Sequence, residues 1–207
     1  MKEIVDKLID RVIDISLRHN LSHLGSCLTA IPILVEIFEE MKVGDKFVLS
    51  NGHAGLAYYV VLEHYRGINA EDALIKYGIH PERDLDLGID VSTGSLGMGL
   101  PIAAGMAMFS KENQVYCLIS DGECAEGSIW EALHFIDSNG LCNMHVYVNI
   151  NGVAAYKDVD IESLSRRLKS FLPGIKIRIT DVSERINFPT KLSAHYMSTE
   201  KAITLKK

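Results

Sequence analysis

Residues 114–152, QVYCLISDGECAEGSIWEALHFIDSNGLCNMHVYVNING, decide the fold. Segments 114–120 and 144–150 are continuous runs of apolar, strand-favouring residues, and between them EGSIWEALHFID at 126–137 repeats its apolar side chains at helical spacing. Together they make one βαβ unit. Strands that are apolar throughout, and not in alternation, suit a parallel sheet covered on both faces. The crossover between such strands is right-handed, so both end at the same edge. Ligands of open α/β sheets bind beyond that edge.

Toward the N-terminus, the periodicity predicts helices over 2–19 and 29–42, a short strand KFVLS at 46–50, and helices near 55–66 and 70–77. A glycine-rich turn at 94–99 opens a helix to about 109. After Tyr156 come a helix, IESLSRRLKSFL, a strand, IKIRIT, and a tail with a positive excess. No linker, repeat or low-complexity tract divides the chain. The expected architecture is a three-layer α/β/α fold with a mostly parallel sheet. It forms one domain over 1–207, with a motif-bearing core at 1–155 and a shortened C-terminal region at 156–207.

The composition agrees. A chain of 207 residues, 47% hydrophobic and 23% charged, closes a sizeable core and is not disordered. A net charge of -6 gives no footprint for nucleic acid or an anionic bilayer. The N-terminal segment is charged and amphipathic, with apolar residues at 5, 8, 9, 12 and 13, and lacks the apolar core of a secretory signal. The longest apolar stretch, Gly94 to Phe109, falls short of the roughly 18 residues of a membrane span. A cytoplasmic protein without membrane contact is expected. Cys27, Cys117, Cys124 and Cys142 form no CxxC and read as reduced thiols packed as small hydrophobes.

Chemistry concentrates at the strand ends. Ser120-Asp121-Gly122 closes one strand of the βαβ unit and Asn149-Ile150-Asn151-Gly152 the other, with 30 residues from Asp121 to Asn151. One anionic and one amide oxygen at a common edge suit Mg²⁺ or Ca²⁺, and Mg²⁺ completes its shell with waters and substrate phosphates. The plain alternative is that both dipeptides are turn formers that only close their strands. Ser92-Thr93-Gly94-Ser95-Leu96-Gly97-Met98-Gly99 runs into an apolar helix. Such a loop lets backbone N–H groups approach a phosphate, or simply permits tight helix packing. It is neither a Walker loop nor GxGxxG. His23, His53 and His80 each sit in a small-residue turn that can project into a cleft, whereas His19, His64, His134 and His145 read as surface or satisfied residues.

SHLGSCLT, LSNGHAGLAYY, GIHPE, DVSTGSLGMGLPIAAGMA and SDGECAEGSIWEAL followed by NINGVA occur in this order. Over most of residues 5–155 the chain thereby resembles the N-terminal, diphosphate-binding half of transketolase and related thiamine diphosphate enzymes. The resemblance implies that Asp121, the side chain of Asn151 and the backbone oxygen of Val153 ligate the metal, and that His53, Gly94, Leu96 and Gly122 line the cofactor with Asp121 and Asn151. It assigns His23 and His80 to the donor hydroxyls, and Glu126 and Glu131 to an acidic pair linking two active sites.

Two departures stand out. Ser120 replaces the first glycine of the family's GDG, and the chain stops where family members continue into a pyrimidine-binding domain with a catalytic glutamate. The resemblance therefore implies one subunit of a split transketolase-like enzyme that transfers a two-carbon ketol unit between sugars or sugar phosphates. It would act with a separate pyrimidine-domain subunit in a heterotetramer, and INFPTKLSAHYMS with His195 reads as a remnant of the last strand and loop. A deoxyxylulose-phosphate-synthase-like or 2-oxo acid decarboxylating subunit, or a non-catalytic relative of the fold, are the competing readings.

Overall fold

The computed structural model describes residues 1–152, 154, 158–181, 197–198, 201 and 204. In chain order these form α1 (Lys2–Arg18), α2 (Leu24–Glu40), β1 (Lys46–Leu49), α3 (Gly55–Arg66), α4 (Ala70–Tyr77), α5 (Gly99–Phe109), β2 (Val115–Ser120), α6 (Gly127–Ser138), β3 (Met144–Ile150), α7 (Ile161–Phe171) and β4 (Lys176–Ile179). Local chemistry explains several of the boundaries. The Asn69 side chain accepts the backbone N–H groups of Glu71 and Asp72 to open α4, and that of Asp160 accepts from Ser163 to open α7. In α1 the apolar stripe buries Leu8, Ile9, Val12 and Ile13 and leaves a charged face outside.

The four strands are parallel, in the order β1-β2-β3-β4. Successive side chains of a strand point to opposite faces, and here both faces are buried. Phe47, Leu49, Tyr116, Leu118 and Tyr147 pack under α1–α4. Val48, Val115, Cys117, Ile119, Val146, Val148 and Ile150 pack under α5–α7. This is the expected three-layer α/β/α arrangement, and removing each large side chain from water contributes roughly 1.5–3 kcal/mol. No helix among the described residues is long and apolar enough to cross a membrane.

Two local expectations differ. Residues 24–28, ahead of the helix expected over 29–42, belong to α2, which carries Pro32 in its interior. Burial of Leu24, Cys27, Leu28 and Ile31 along that helix outweighs the bond that proline removes. Cys27, Cys117 and Cys124 are buried as expected, with burial pushing the Cys27 and Cys124 thiols up to about 12. Cys142 is exposed, in the turn that leads into β3.

Candidate functional site

The C-terminal ends of β1, β2 and β3 lie side by side because the strands are parallel and in register. Asp121 ties two of them together. One carboxylate oxygen accepts the Gly122 N–H at 2.9 Å and the other accepts the Gly152 N–H at 2.8 Å, while the Asp121 N–H donates to the Asn149 carbonyl at 3.0 Å. Asp121 and Asn151, 30 positions apart, are thus brought to one edge, both buried.

The loop at 92–99 uses its glycines in two ways. A Cβ on Gly99 would stand 2.5 Å from Ser50 Cα, and one on Gly97 would stand 2.8 Å from Glu126 Cβ. Gly97 also has φ +78, so these two serve helix packing and a left-handed turn. Gly94 faces elsewhere. A Cβ there would meet the His80 ring at 3.2 Å, and a Cβ on Gly52 would lie 2.8 Å from Gly94 N. The hydroxyl of Thr93 donates to the Leu49 carbonyl at 2.6 Å and fixes the loop over the end of β1.

Two of the three turn histidines meet here, and the third lies against the loop at Gly94. His53 sits in a 3-10 turn, Gly52–Ala54, its ring centroid 5.3 Å from that of His23. His23 caps α2 at φ 63, a left-handed conformation, and its Nδ1 lies 2.8 Å from Ser22 Oγ. His80 is exposed beside Gly94, and Leu96 is exposed too. The histidines set aside on sequence are partnered on the surface or at its margin, His19 with Glu71 at 2.7 Å and His145 with Gln114 at 2.8 Å. Glu126 and Glu131, at the start of α6, are exposed, and only Glu126 touches the loop, through Gly97. Val153 and His195 lie outside the described residues.

Glu123 was not singled out by the sequence. It is 0% exposed, and its carboxylate accepts the Ser50 hydroxyl at 2.6 Å, the Gly97 N–H at 3.0 Å and the Ser120 N–H at 3.0 Å. The Glu123 N–H returns a longer bond to Ser120 Oγ, 3.4 Å. Ser120-x-x-Glu123 is therefore a capping box built on the 3-10 turn Gly122–Ala125, and it gives Ser120 a use that glycine could not serve. Burial raises the Glu123 carboxyl above its ordinary range, and the Ser50 hydroxyl and the two backbone donors hold it back. A serine followed three residues later by glutamate at a strand end was the available signal.

The residues present fit a diphosphate with a hard cation. A Cβ on Gly122 would have nothing nearer than 3.9 Å, so the absent side chain leaves a cradle beside Asp121. Asn51 Oδ1, just past the end of β1, is buried with no hydrogen-bond partner among the described residues, an oxygen that suits a cation or a donor group and not the phosphate oxygens themselves. Among the described residues no three His, Cys, Asp or Glu side chains group to hold a metal ion. An ion held by one carboxylate and one amide would need phosphate oxygens to complete its shell.

Known proteins point the same way. The family described as "Transketolase, thiamine diphosphate binding domain" matches residues 2–172. Transketolase-like protein 2 of Bos taurus is 37% identical over 161 residues, covering 65% of this chain and 26% of that protein. An apulose-4-phosphate transketolase subunit of Phocaeicola vulgatus is 37% identical over 142 residues, covering 59% of this chain and 50% of that protein. The chain thus spans a quarter to a half of the length of these relatives. The crystal structure of transketolase from Campylobacter jejuni superposes with a TM-score of 0.67 over 82% of this chain and 32% of that one, at 23% identity, which shows a shared fold. With the match reaching from α1 to the end of α7, the chain belongs to the transketolase family, of which it carries the thiamine diphosphate-binding domain.

Proposed function

We propose that this domain binds thiamine diphosphate with Mg²⁺ or Ca²⁺ and is the diphosphate-binding half of a two-subunit, cytoplasmic enzyme that transfers a two-carbon ketol unit between sugars or sugar phosphates. The observation that carries the reading is the Asp121 carboxylate bonded to Gly122 and Gly152, which joins two strand ends into one cation-ready edge. A separate partner subunit, in a heterotetramer, is supported by the Phocaeicola vulgatus relative, which is itself named as one subunit of its enzyme. When bound, the cofactor would supply a heterocycle able to hold negative charge on the carbon that was the donor's carbonyl carbon.

This chain's residues hold and orient. Asp121, the Asn151 oxygen and the backbone oxygen of Val153 ligate the cation. The backbone at Gly94, Leu96 and Gly122 lines the cofactor with His53, whose ring the neighbouring His23 supports. His23 and His80 hold donor hydroxyls, and the exposure of His80 keeps its ring available to a substrate. Glu126 and Glu131, both exposed, reach toward the second active site of the assembly.

Calorimetric titration of thiamine diphosphate and Mg²⁺ into the chain with its partner tests this. Asp121→Ala is expected to weaken binding by at least the 10- to 100-fold that outer-shell losses cause. Unchanged affinity would overturn the site, and ketol transfer by this polypeptide on its own would overturn the two-subunit reading.

A further inference from the structure

An amide can present either its oxygen or its nitrogen to a cation, and only the oxygen ligates one. On the far side of Asn151 lies Thr29, buried in α2. The Thr29 hydroxyl has one proton, and the structure shows where it goes. Thr29 Oγ1 is 3.0 Å from the carbonyl of Gly25, one turn earlier, and 3.3 Å from that of Ser26. Carbonyl oxygens do not donate, so Thr29 donates to them and its oxygen is left as an acceptor.

Two amides converge on that oxygen. Asn149 Nδ2 donates to it at 2.9 Å and Asn151 Nδ2 at 3.5 Å. Asn149 is fixed at its other end as well, since Thr180 Oγ1 donates to its Oδ1 at 2.7 Å. An Asn151 amide turned the other way would set an oxygen lone pair against the Thr29 lone pairs, with no proton left to share. The helix backbone therefore dictates the amide orientation, through one hydroxyl.

We propose that Thr29 is a positioning residue that turns the Asn151 amide nitrogen inward and so presents its oxygen to the cation, an inference that rests on reading Asn151 as a cation ligand. Thr29 ends the stretch SHLGSCLT, but no role of its own was read for it there. The hydroxyl acts as an outer-shell partner of the kind whose loss costs roughly 10- to 100-fold in metal affinity. Because the Asn151 bond is the longer of the two, the lower end of that range is expected.

The test is a Mg²⁺ titration of the full chain with its partner at saturating thiamine diphosphate, read by calorimetry, on Thr29→Val, Thr29→Ser and Asn151→Ala. Thr29→Val keeps the shape and removes the acceptor, and should raise the Mg²⁺ midpoint about 10-fold. Thr29→Ser keeps the hydroxyl and should restore the parent midpoint. A merely structural threonine would lower the melting temperature in both variants and leave the midpoint of the folded protein unmoved, which overturns the proposal. If Asn151→Ala weakens Mg²⁺ binding and Thr29→Val does not, the Thr29 inference alone fails. If Asn151→Ala has no effect, the ligand reading itself fails. Should the valine variant not fold, Thr29→Ala removes the same hydroxyl without added bulk and is read by the same titration.

Discussion

The two ends of the sheet are held together by opposite means. At the N-terminal end of the strands the links are charged and partly exposed. Lys46 pairs with Asp90 at 2.9 Å, Lys176 with Glu40 at 2.8 Å, and the Gln114 N–H donates to Asp45 at 3.0 Å. At the C-terminal end the links are buried. Glu123, Ser50, Ser120 and the Gly97 N–H form one cluster with neutral donors on the carboxylate, and Asp121 takes backbone N–H groups from two strand ends. Exposed ion pairs contribute roughly 0–1 kcal/mol each, because water competes for both partners. A buried donor left without its acceptor costs about 1–3 kcal/mol. The cluster at the C-terminal end is thus intolerant of change and geometrically fixed, as a binding edge must be, while the charged links at the N-terminal end are interchangeable.

Glu123→Ala should produce the largest effect. It strands three donors at once and is expected to lower unfolding stability by about 3–5 kcal/mol in urea titration. A loss under about 1 kcal/mol, the low end for a single stranded donor, would erase the contrast between the ends. Next in size, His80→Ala should lower kcat/KM of the assembled enzyme by roughly 10²-fold, with cofactor affinity unchanged, as for a group that meets only the substrate. Lost cofactor affinity with intact kinetics at saturation would reassign it. Gly99→Ala puts a methyl group 2.5 Å from Ser50 Cα. An overpacked contact of that kind costs about 1–3 kcal/mol, seen as a lower melting temperature.

Glu40→Gln, at the other end, should cost under about 1 kcal/mol. Its signature is pH dependence. The hydrogen bond from Lys176 is the main influence holding the Glu40 carboxyl below its ordinary value of 4.5. Its stabilisation is present above that value and is lost as pH falls through the lowered one. The variant should therefore lose that small amount at neutral pH and nothing below the lowered value, which flattens the acid limb of stability below about pH 4.5.

The fold was legible because strands buried on both faces cannot hide, and VYCLIS and MHVYVNI have no polar register to confuse them. The meeting of Asp121 and Asn151 at one edge was legible because both close parallel strands of a single βαβ unit. Glu123 was not, since an acid after Asp-Gly resembles a solvated first-turn residue until the Gly97 loop closes on it. Thr29 was hidden by its apolar neighbours. The start of α2 was obscured because the small residues around His23 read as a turn, and only the burial of Leu24 and Leu28 places it earlier.

One further consequence lies in the left-handed backbone of His23, at φ 63. Asparagine and glycine occupy that conformation more comfortably than histidine, by about 1 kcal/mol. Breeding this protein for heat tolerance would be expected to drift toward His23→Asn or His23→Gly, gaining about 2–4 °C in Tm. The hardier variants would lose the imidazole beside His53, so position 23 is where robustness and usefulness pull apart, and paired measurements of Tm and kcat/KM on His23→Asn would show the exchange directly.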